Sequence, residues 1–312
     1  MSYLRGRARI IREVRRFFDE RDFLEVETPL RIPAPAPEQH IAPQPSGRWF
    51  LQTSPELCMK RLLARGYSHI YQICKCFRRG ERGRRHLPEF TMLEWYRAGA
   101  DYRVLMEDCQ ALLRAVASSL APAVAEDNPY RPPPLVLPLA HGGERVVDFS
   151  LPFERLSVVE AFYFYAGMDA REALSRGCFD QLLVEKIEPR LGFERPLFLY
   201  DYPVELAALA RRKPDNPELA ERFELYVGGV ELANGFSELT DQGEQRRRFE
   251  EERRAIRAAG RRPPPMPESF LAELPEMPPS AGIALGLDRL VMLMLGAGHI
   301  DEILAFPPVT TR

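Results

Sequence analysis

The segment from His86 to Tyr96 carries residue types that could bind a nucleotide and an amine. Its second half has the composition of a strand, and the side chains of a strand alternate between two faces. One face therefore carries Phe90, Met92, Glu94 and Tyr96. The aromatic ring could stack on adenine, and the carboxylate with the phenol could bind an ammonium group. A half-buried sheet face whose glutamate points to water explains the same pattern equally well.

Two glutamates flank a predicted β-hairpin. A two-residue turn at Gly228-Gly229 places Glu224 and Glu231 on the same face as diagonal neighbours. Two carboxylates at that separation repel each other unless a cation lies between them, and Mg²⁺ takes a few carboxylates together with phosphate oxygens. The spacing is consistent with a magnesium site for ATP, although most glutamates are ordinary surface acids.

Two further segments could complete such a site. Residues that share a face follow along the second strand of the hairpin: Asn234, Phe236 and Glu238. The carboxylate of Glu238 can meet Glu94 across a sheet. Near the C-terminus, small residues at 281–286 let a ligand approach the backbone, and Arg289 at the next helix start could bind phosphate. Pairing of Arg289 with Asp288 is the alternative.

The elements that must position these residues form an α+β pattern. An apolar stripe from Ile10 to Phe18 predicts an N-terminal helix, and alternation at 23–28 predicts a strand. A helix capped by Ser54 follows, and then two strands at 70–77 and 90–96. Strands paired in hairpins exclude a doubly wound sheet. The sequence has no GxxxxGK[ST] loop and no GxGxxG after a strand, so ATP must be held by side-chain cations.

The composition narrows the class of protein. The 312 residues are 45% hydrophobic and 28% charged, as in globular proteins with a sizeable core. No apolar stretch has the length of a membrane span and the N-terminus does not resemble a secretory signal, so we expect a cytoplasmic protein without a membrane partner. The 5 cysteines include no CxxC pair, which favours thiols that pack as small hydrophobes over a metal site.

The charge distribution limits nucleic-acid binding to local contacts. The net charge of −2 supplies no general attraction for phosphates. Two basic clusters occur, at 78–85 and at 246–262. The second lies among glutamates at helical spacing, which is typical of a solvated helix face with ion pairs.

Together these segments resemble the class II aminoacyl-tRNA synthetases. Residues 17–29 are similar to motif 1, residues 77–96 to motif 2 and residues 282–289 to motif 3. Three segments are most similar to the sequence of lysyl-tRNA synthetase: TSPE (53–56), PEFTMLEWY (88–96) and ELANGFSEL (231–239). The resemblance covers nearly the whole chain. It implies one catalytic domain over residues 1–312, with an antiparallel sheet flanked by helices.

The resemblance implies an ATP site. Arg78 would hold the α-phosphate, and His86 with Arg289 the outer phosphates, so that the two arginines are the catalytic residues. Phe90 and the plane of Arg289 would enclose adenine. The remaining ATP-binding residues would be Arg79, Gly80, Leu87, Glu231, Leu232 and Gly286. The metal ligands would be Glu224 and Glu231, which would bind Mg²⁺.

The resemblance also implies an amino-acid pocket. Its members would be Ser54, Pro55, Glu56, Glu94, Tyr96, Asn234, Phe236, Glu238 and Ala284. Glu56 would bind the amine beside the reacting carboxylate. The side-chain ammonium would lie between Glu94, Tyr96 and Glu238, because buried acids need a cation.

Several positions depart from lysyl-tRNA synthetase. Motif 1 begins within the first twenty residues, so we expect no N-terminal anticodon-binding barrel, and Ala284 replaces a motif 3 glycine. Both departures resemble the elongation factor P lysine ligases, truncated synthetase paralogues that attach β-lysine to that factor. In motif 2, Gly80 stands where the family has an adenine-binding glutamate, and Leu87 replaces a polar residue. Either Glu81 substitutes through a shifted loop, or adenine is held less specifically.

The resemblance implies activation of lysine or β-lysine by ATP and Mg²⁺ as an adenylate, followed by transfer to a lysine side chain of elongation factor P. A homodimer through motif 1 is expected, and tRNA is an unlikely acceptor. Two rival functions are a truncated synthetase that charges tRNA and a non-catalytic adenylate-binding regulator. The complete charge set disfavours the regulator: Arg78, Glu224, Glu231 and Arg289.

Overall fold

The computed structural model describes residues 3–120, 134–138 and 144–308. The strands within these ranges are β1 (Leu24–Glu25), β2 (Arg31–Ile32), β3 (Pro45–Ser46), β4 (Trp49–Leu51), β5 (His69–Phe77), β6 (Glu89–Ala98), β7 (Leu135–Pro138), β8 (Glu144–Val147), β9 (Glu154–Ser157), β10 (Leu197–Pro203), β11 (Leu219–Val227), β12 (Val230–Ser237) and β13 (Ser280–Gly286). The α-helices are α1 (Tyr3–Asp19), α2 (Glu56–Ala64), α3 (Tyr102–Leu120), α4 (Val158–Ala161), α5 (Ala170–Ser175), α6 (Phe179–Leu182), α7 (Gln242–Ala258), α8 (Glu268–Glu273) and α9 (Leu287–Met294).

Eight strands form one large sheet in the order β1-β5-β6-β13-β12-β11-β10-β9. The pairs from β5 to β10 are antiparallel, and only the edge pairs β1·β5 and β9·β10 are parallel. The predicted α+β class and antiparallel sheet are confirmed.

One face of the sheet is covered by α1, α3 and α9. The predicted apolar stripe of α1 is buried there, and its Phe18 ring stacks on Tyr71 of β5 with 4.5 Å between ring centroids. Trp95 of β6 is fully buried against the same ring. Full burial of a large apolar side chain contributes about 1.5–3 kcal/mol. This face is thus the main core, and the opposite face carries polar groups beside a smaller apolar cluster with α2 and α8.

The hairpin of β11 and β12 has the predicted two-residue turn. Gly228 and Gly229 both have positive φ, 59° and 70°, as a type I′ turn requires. The pairing then shifts, because Leu225 pairs with Ala233 while the next pair is Tyr226 with Glu231. The extra residue is Leu232. This bulge turns Asn234 and Phe236 onto the face that Glu231 occupies, which strict alternation would not allow.

Three smaller expectations had different outcomes. The predicted N-cap position of Ser54 is wrong, because α2 begins at Glu56 with Pro55 at its N-cap; Ser54 Oγ still accepts from the Glu56 backbone N at 3.0 Å, and its hydroxyl also donates to Glu94. The solvated basic helix is confirmed on α7, where exposed ion pairs include Arg246 with Glu268. Within the described residues, no helix is long and apolar enough to cross a membrane.

Candidate active site

Five adjacent strands place one residue each in a row across the polar face of the sheet. The row consists of Gln72, Glu94, Ala284, Asn234 and Glu224. A second row beside it consists of Tyr96, Gly282, Phe236 and Arg222. The antiparallel register therefore brings together residues that are more than 100 positions apart in the sequence, including most of the predicted amino-acid pocket.

Glu94 lies at the closed end of this face and is 2% exposed. Its Oε1 accepts a 2.6 Å hydrogen bond from the Tyr96 hydroxyl, and its Oε2 accepts a 2.8 Å bond from Ser54 Oγ. Burial raises the pKa of Glu94 to about 8, and the neighbouring Glu56 also raises it. An acid in this state ionises readily only when a cation joins it, as the predicted ammonium site requires.

Lys60 enters the same pocket from α2. Its side chain is 1% exposed, and its Nζ lies 2.6 Å from Glu56 Oε1 and 2.5 Å from Glu238 Oε2. The ammonium also lies 5.1 Å from the centroid of the Phe236 ring. Glu56 and Glu238 were predicted to bind substrate amines, and in the structure Lys60 already bridges them. The sequence could have indicated this ion pair, because Glu56 and Lys60 are four positions apart in a predicted helix and so lie on the same helix face.

Glu238 is 1% exposed, and burial raises its pKa to about 8. The charge of Lys60 lowers that pKa, while Glu56 and Glu94 raise it. Three acids and one lysine thus face each other away from water. When all three acids are ionised the pocket carries more negative than positive charge, so a cationic ligand favours their ionisation.

Small residues of β13 form the floor of the pocket. A Cβ on Gly282 would lie 2.1 Å from Tyr96 Cε1 and 2.5 Å from Glu238 Oε1, so only glycine allows this closure. Ala284 lies two positions further along, paired with Glu94 on one side and Asn234 on the other. Its methyl group is thus part of the floor beside the ammonium-binding acids.

Arg78 follows β5 at the open end of the face. Its Nε is buried without a hydrogen-bond partner among the described residues, and its Cζ lies 5.1 Å from the Phe90 ring centroid. A buried guanidinium N–H without an acceptor fits an anionic ligand such as a phosphate. Glu81 of the following loop approaches Arg78 to 3.9 Å.

Arg289 and His86 lie together, as predicted for the outer phosphates. Arg289 Nη2 is 2.6 Å from His86 Nε2, and Nη1 donates to the carbonyl oxygen of Glu231 at 2.7 Å. Burial lowers the pKa of His86, and so does the charge of Arg289. The imidazole is therefore neutral at pH 7 and can accept from the guanidinium.

The alternative pairing of Arg289 with Asp288 is wrong. The Asp288 carboxylate accepts from Arg7 Nη1 at 2.6 Å and from the backbone N of Thr91 at 2.6 Å. These contacts tie predicted motifs 2 and 3 to each other and to α1, because Arg7 is on α1, Thr91 on β6 and Asp288 on α9. Arg289 instead faces the site, where it contacts His86 and Glu231.

Glu224 and Glu231 differ in their surroundings. Glu224 accepts hydrogen bonds from the hydroxyls of Tyr202 and Tyr226, at 2.6 and 2.7 Å, and from Arg222 at 2.7 Å. Glu231 is only half-buried, with Arg289 at 3.5 Å, and its pKa is raised by burial and by Glu224.

The donor set fits a metal held jointly with phosphate. Within the part of the chain that is described, no three His, Cys, Asp or Glu side chains cluster as a metal site. Two carboxylates alone suit Mg²⁺ when phosphate oxygens complete its coordination. Glu231 has the freer oxygens, and Glu224 is oriented by its three donors.

The remaining predicted residues border the site in different ways. Leu87 and Leu232 are buried in the main core, so only their backbones can reach a ligand. Arg79 and Gly80 lie in the exposed loop after β5, and the Arg79 backbone N donates to Ala42 O. Pro55 is buried before α2, and Gly286 lies against the Arg289 side chain.

A family model described as tRNA synthetases class II (D, K and N) matches residues 1–310. The chain belongs to this family. This class II synthetase chain is also similar along its length to proteins named elongation factor P–(R)-beta-lysine ligase. The relative from Erwinia tasmaniensis is 42% identical over 98% of this chain and 95% of its own length. Those from Vibrio cholerae and Proteus mirabilis are 40% and 39% identical with the same coverage.

The family resemblance predicted from the motifs is therefore confirmed. Three charged residues of the site in this class II synthetase chain were not predicted from the sequence: Lys60, Arg222 and Glu38. Glu38 belongs to the proline-rich loop before β3, where burial raises its pKa to about 7 and Arg78 lowers it. No motif marked it, because the loop has no periodicity that predicts which side chains point inward.

Proposed function

We propose that this chain activates lysine or β-lysine with ATP and transfers it to a lysine side chain of elongation factor P. The main support for this proposal is that one face of the sheet has buried acids at its closed end and Arg78, His86 and Arg289 at its open end. A cationic amino acid and a polyphosphate fit these two ends. The names of the relatives, which give elongation factor P and (R)-beta-lysine as the partners that those ligases join, support the assignment.

In the activation step, a carboxylate oxygen of the amino acid attacks the α-phosphorus of ATP in line, and pyrophosphate leaves. Arg78 is placed to stabilise the α-phosphate and Arg289 the outer phosphates, with neutral His86 orienting Arg289. The chain supplies position and charge instead of a covalent nucleophile. Glu231 and Glu224 would hold Mg²⁺, which when bound neutralises phosphate charge.

In the transfer step, the deprotonated amine of the acceptor lysine attacks the carbonyl carbon of the adenylate. An amide forms, the bond from the carbonyl carbon to the AMP oxygen breaks so that AMP leaves, and the proton lost by the attacking nitrogen passes to solvent. The acids around Lys60 keep the amines of the activated amino acid at the closed end, which directs the carbonyl toward Arg78 and the open end. The acceptor therefore approaches from the side of the loop at 78–85.

That loop is partly anchored to the C-terminal segment. Arg82 pairs with Asp301 at 2.5 Å, and Arg84 Nε donates to Gly298 O at 2.6 Å. Arg79 remains exposed and could receive an acid of a partner protein. This supports a protein acceptor, and a tRNA acceptor remains the rival.

We also propose a homodimer through α1 and its neighbours, which light scattering at micromolar concentration tests.

Pyrophosphate exchange tests the activation step. The assay is run with L-lysine, both β-lysine enantiomers, norleucine and 6-aminohexanoate. We expect exchange with lysine isomers and at least about tenfold less with either one-amine compound, because a buried acid then lacks its cation. Radiolabelled lysine or β-lysine is then offered to purified elongation factor P and to bulk tRNA. Label on tRNA but not on the factor would favour a truncated synthetase, and no exchange with any amino acid a regulator.

A further inference from the structure

Lys60 is the positive member of a closed group of side chains. Its Nζ contacts Glu56 at 2.6 Å and Glu238 at 2.5 Å, and Glu94 faces both acids. Burial lowers the pKa of Lys60, but the charges of Glu238 and Glu56 outweigh burial and raise it. The lysine is therefore charged and is a permanent part of the pocket.

The charge of this group can be counted. Three carboxylates and one lysine ammonium leave two negative charges when all the acids are ionised. The Tyr96 phenol is neutral, because burial and Glu94 raise its pKa well above the ordinary value. Glu38 also faces Glu56, and its pKa is lowered by Arg78 and Arg222 and raised by Glu56 and Glu252; it stays outside the group because Lys60 pairs with Glu56 and Glu238.

The amino acid of the proposed reaction brings two positive charges to this end of the site. One is the side-chain ammonium, and the other is the α- or β-ammonium. Its carboxylate lies toward Arg78 and loses its charge when it is joined to AMP. Two remaining negative charges thus meet two ammonium groups, and the buried cluster becomes neutral. Buried charges are tolerated when they are matched in this way.

We propose that Lys60 is a built-in counter-ion that sets the number of ammonium groups the pocket accepts at two, and so selects diamino acids. This rests on the proposed function. Lys60 acts through Glu56 and Glu238 and not on the reacting atoms, so it is a positioning residue. A lysine that only fills space would have a different signature, because its removal would cost the same whatever the charge at residue 238.

The test is a double-mutant cycle with Lys60→Met and Glu238→Gln. Glu238→Gln leaves one negative charge for two ammonium groups, and we expect the KM for lysine in pyrophosphate exchange to rise at least about tenfold. Adding Lys60→Met restores two negative charges, and we expect the KM to fall again by at least about threefold. In the wild-type background the same Lys60→Met change should raise the KM.

A pH profile gives a second readout. In Lys60→Met, Glu238 loses the cation that lowers its pKa, so the acid limb of kcat/KM for lysine should move about one unit or more to higher pH. The facing groups Glu56, Glu94 and Tyr96 are unchanged. Lys75→Met is the matched control, because Lys75 is 43% exposed and pairs with Glu89 at the surface. Its KM and pH profile should remain those of the wild type.

Two outcomes would overturn the inference. One is a KM for the double variant equal to or above that of Glu238→Gln alone, and the other is an unshifted acid limb in Lys60→Met. If Lys60→Met does not fold, the double variant, which removes both members of the ion pair, still decides. Failure of the proposed function looks different, because wild-type protein would then give no lysine-dependent exchange at all.

Discussion

Glu94 and Tyr96 lie two positions apart on β6, and the Tyr96 hydroxyl donates a 2.6 Å hydrogen bond to Glu94 Oε1. With Ser54 on the other oxygen, the carboxylate is held in one orientation before any ligand binds. Rigid placement of a charged group reduces the entropic cost of binding. The ammonium of a substrate therefore meets a prepared acid and not a mobile one.

Glu94→Gln and Glu238→Gln should each weaken lysine activation by roughly 1–3 kcal/mol, because each removes half of a buried, charge-assisted contact. The KM for ATP should change little, since Arg78, His86 and Arg289 are untouched. Pyrophosphate exchange measured against lysine and against ATP separates the two effects. Glu89→Gln on the same strand is the control, because Glu89 is exposed. Normal lysine activation by both pocket variants would refute the ammonium site.

Ala284→Gly should improve the use of α-lysine relative to β-lysine. The methyl group of Ala284 narrows the floor between Glu94 and Asn234 by one carbon, a difference worth about 1–3 kcal/mol of discrimination. Competition between the two isomers in one exchange reaction measures the ratio. Ala281→Gly is the matched control, because Ala281 is buried in the main core. It should reduce stability without changing the ratio, and an unchanged or reversed ratio in Ala284→Gly would contradict the prediction.

The pH dependence of activation follows from the raised pKa values of Glu94 and Glu238, both about 8. Binding of an ammonium group requires ionised acids. We therefore expect kcat/KM for lysine to increase as the pH rises through 8. In Glu94→Gln the dependence should become shallower. A profile that falls between pH 7 and 8 would be incompatible with this pocket.

The same acids affect stability with a defined sign. Their folded-state pKa values lie above the ordinary 4.5, so between about pH 4.5 and 8 the folded state holds more protons than the unfolded chain. Stability contributed by these groups is present at the low end of this window and decreases as the pH rises. Thermal melts from pH 5 to 9 should show a steeper fall for the wild type than for the Glu94→Gln, Glu238→Gln double variant.

Arg7→Ala should destabilise the fold by roughly 3 kcal/mol, because it leaves the Asp288 carboxylate buried without its cation. The exposed fraction of the Asp288 side chain is 3%. Arg5→Ala on the exposed side of α1 should stay within about 0.5 kcal/mol of the wild type. Urea unfolding measures both. Equal stability of the two variants would mean that the Thr91 backbone alone satisfies Asp288.

The sequence predicted the faces of β6 and the turn of the β11–β12 hairpin, because period-two alternation and two adjacent glycines are local signals. It did not predict the bulge at Leu232. A bulge depends on the partner strand, and Leu232 has no local property that marks it. Lys60 was missed for a similar reason. A lysine on a helix is usually solvated, and its burial depends on acids that β12 brings to the same pocket.

Ser54 illustrates how tertiary contacts override a local preference. A serine before Pro-Glu at a helix start is typical of an N-cap, whose oxygen accepts from the helix. The Ser54 hydroxyl also donates a hydrogen bond to Glu94. The Oγ still accepts from the Glu56 backbone N at 3.0 Å, so one helix N–H is satisfied by a residue outside the cap position. Local sequence predicted that Ser54 Oγ accepts from a helix N–H, but not that the hydroxyl also donates to Glu94.

The two small residues in the pocket floor have unequal freedom to vary during evolution. Gly282 admits no Cβ, because Tyr96 and Glu238 already occupy the space where one would lie. Ala284 already carries a methyl group between Glu94 and Asn234. A lineage that changes its preferred amino acid can therefore do so by single substitutions at 284. Position 282 would need compensating changes in both neighbours first. Most evolutionary change in amino-acid selectivity at the pocket floor should therefore occur at position 284.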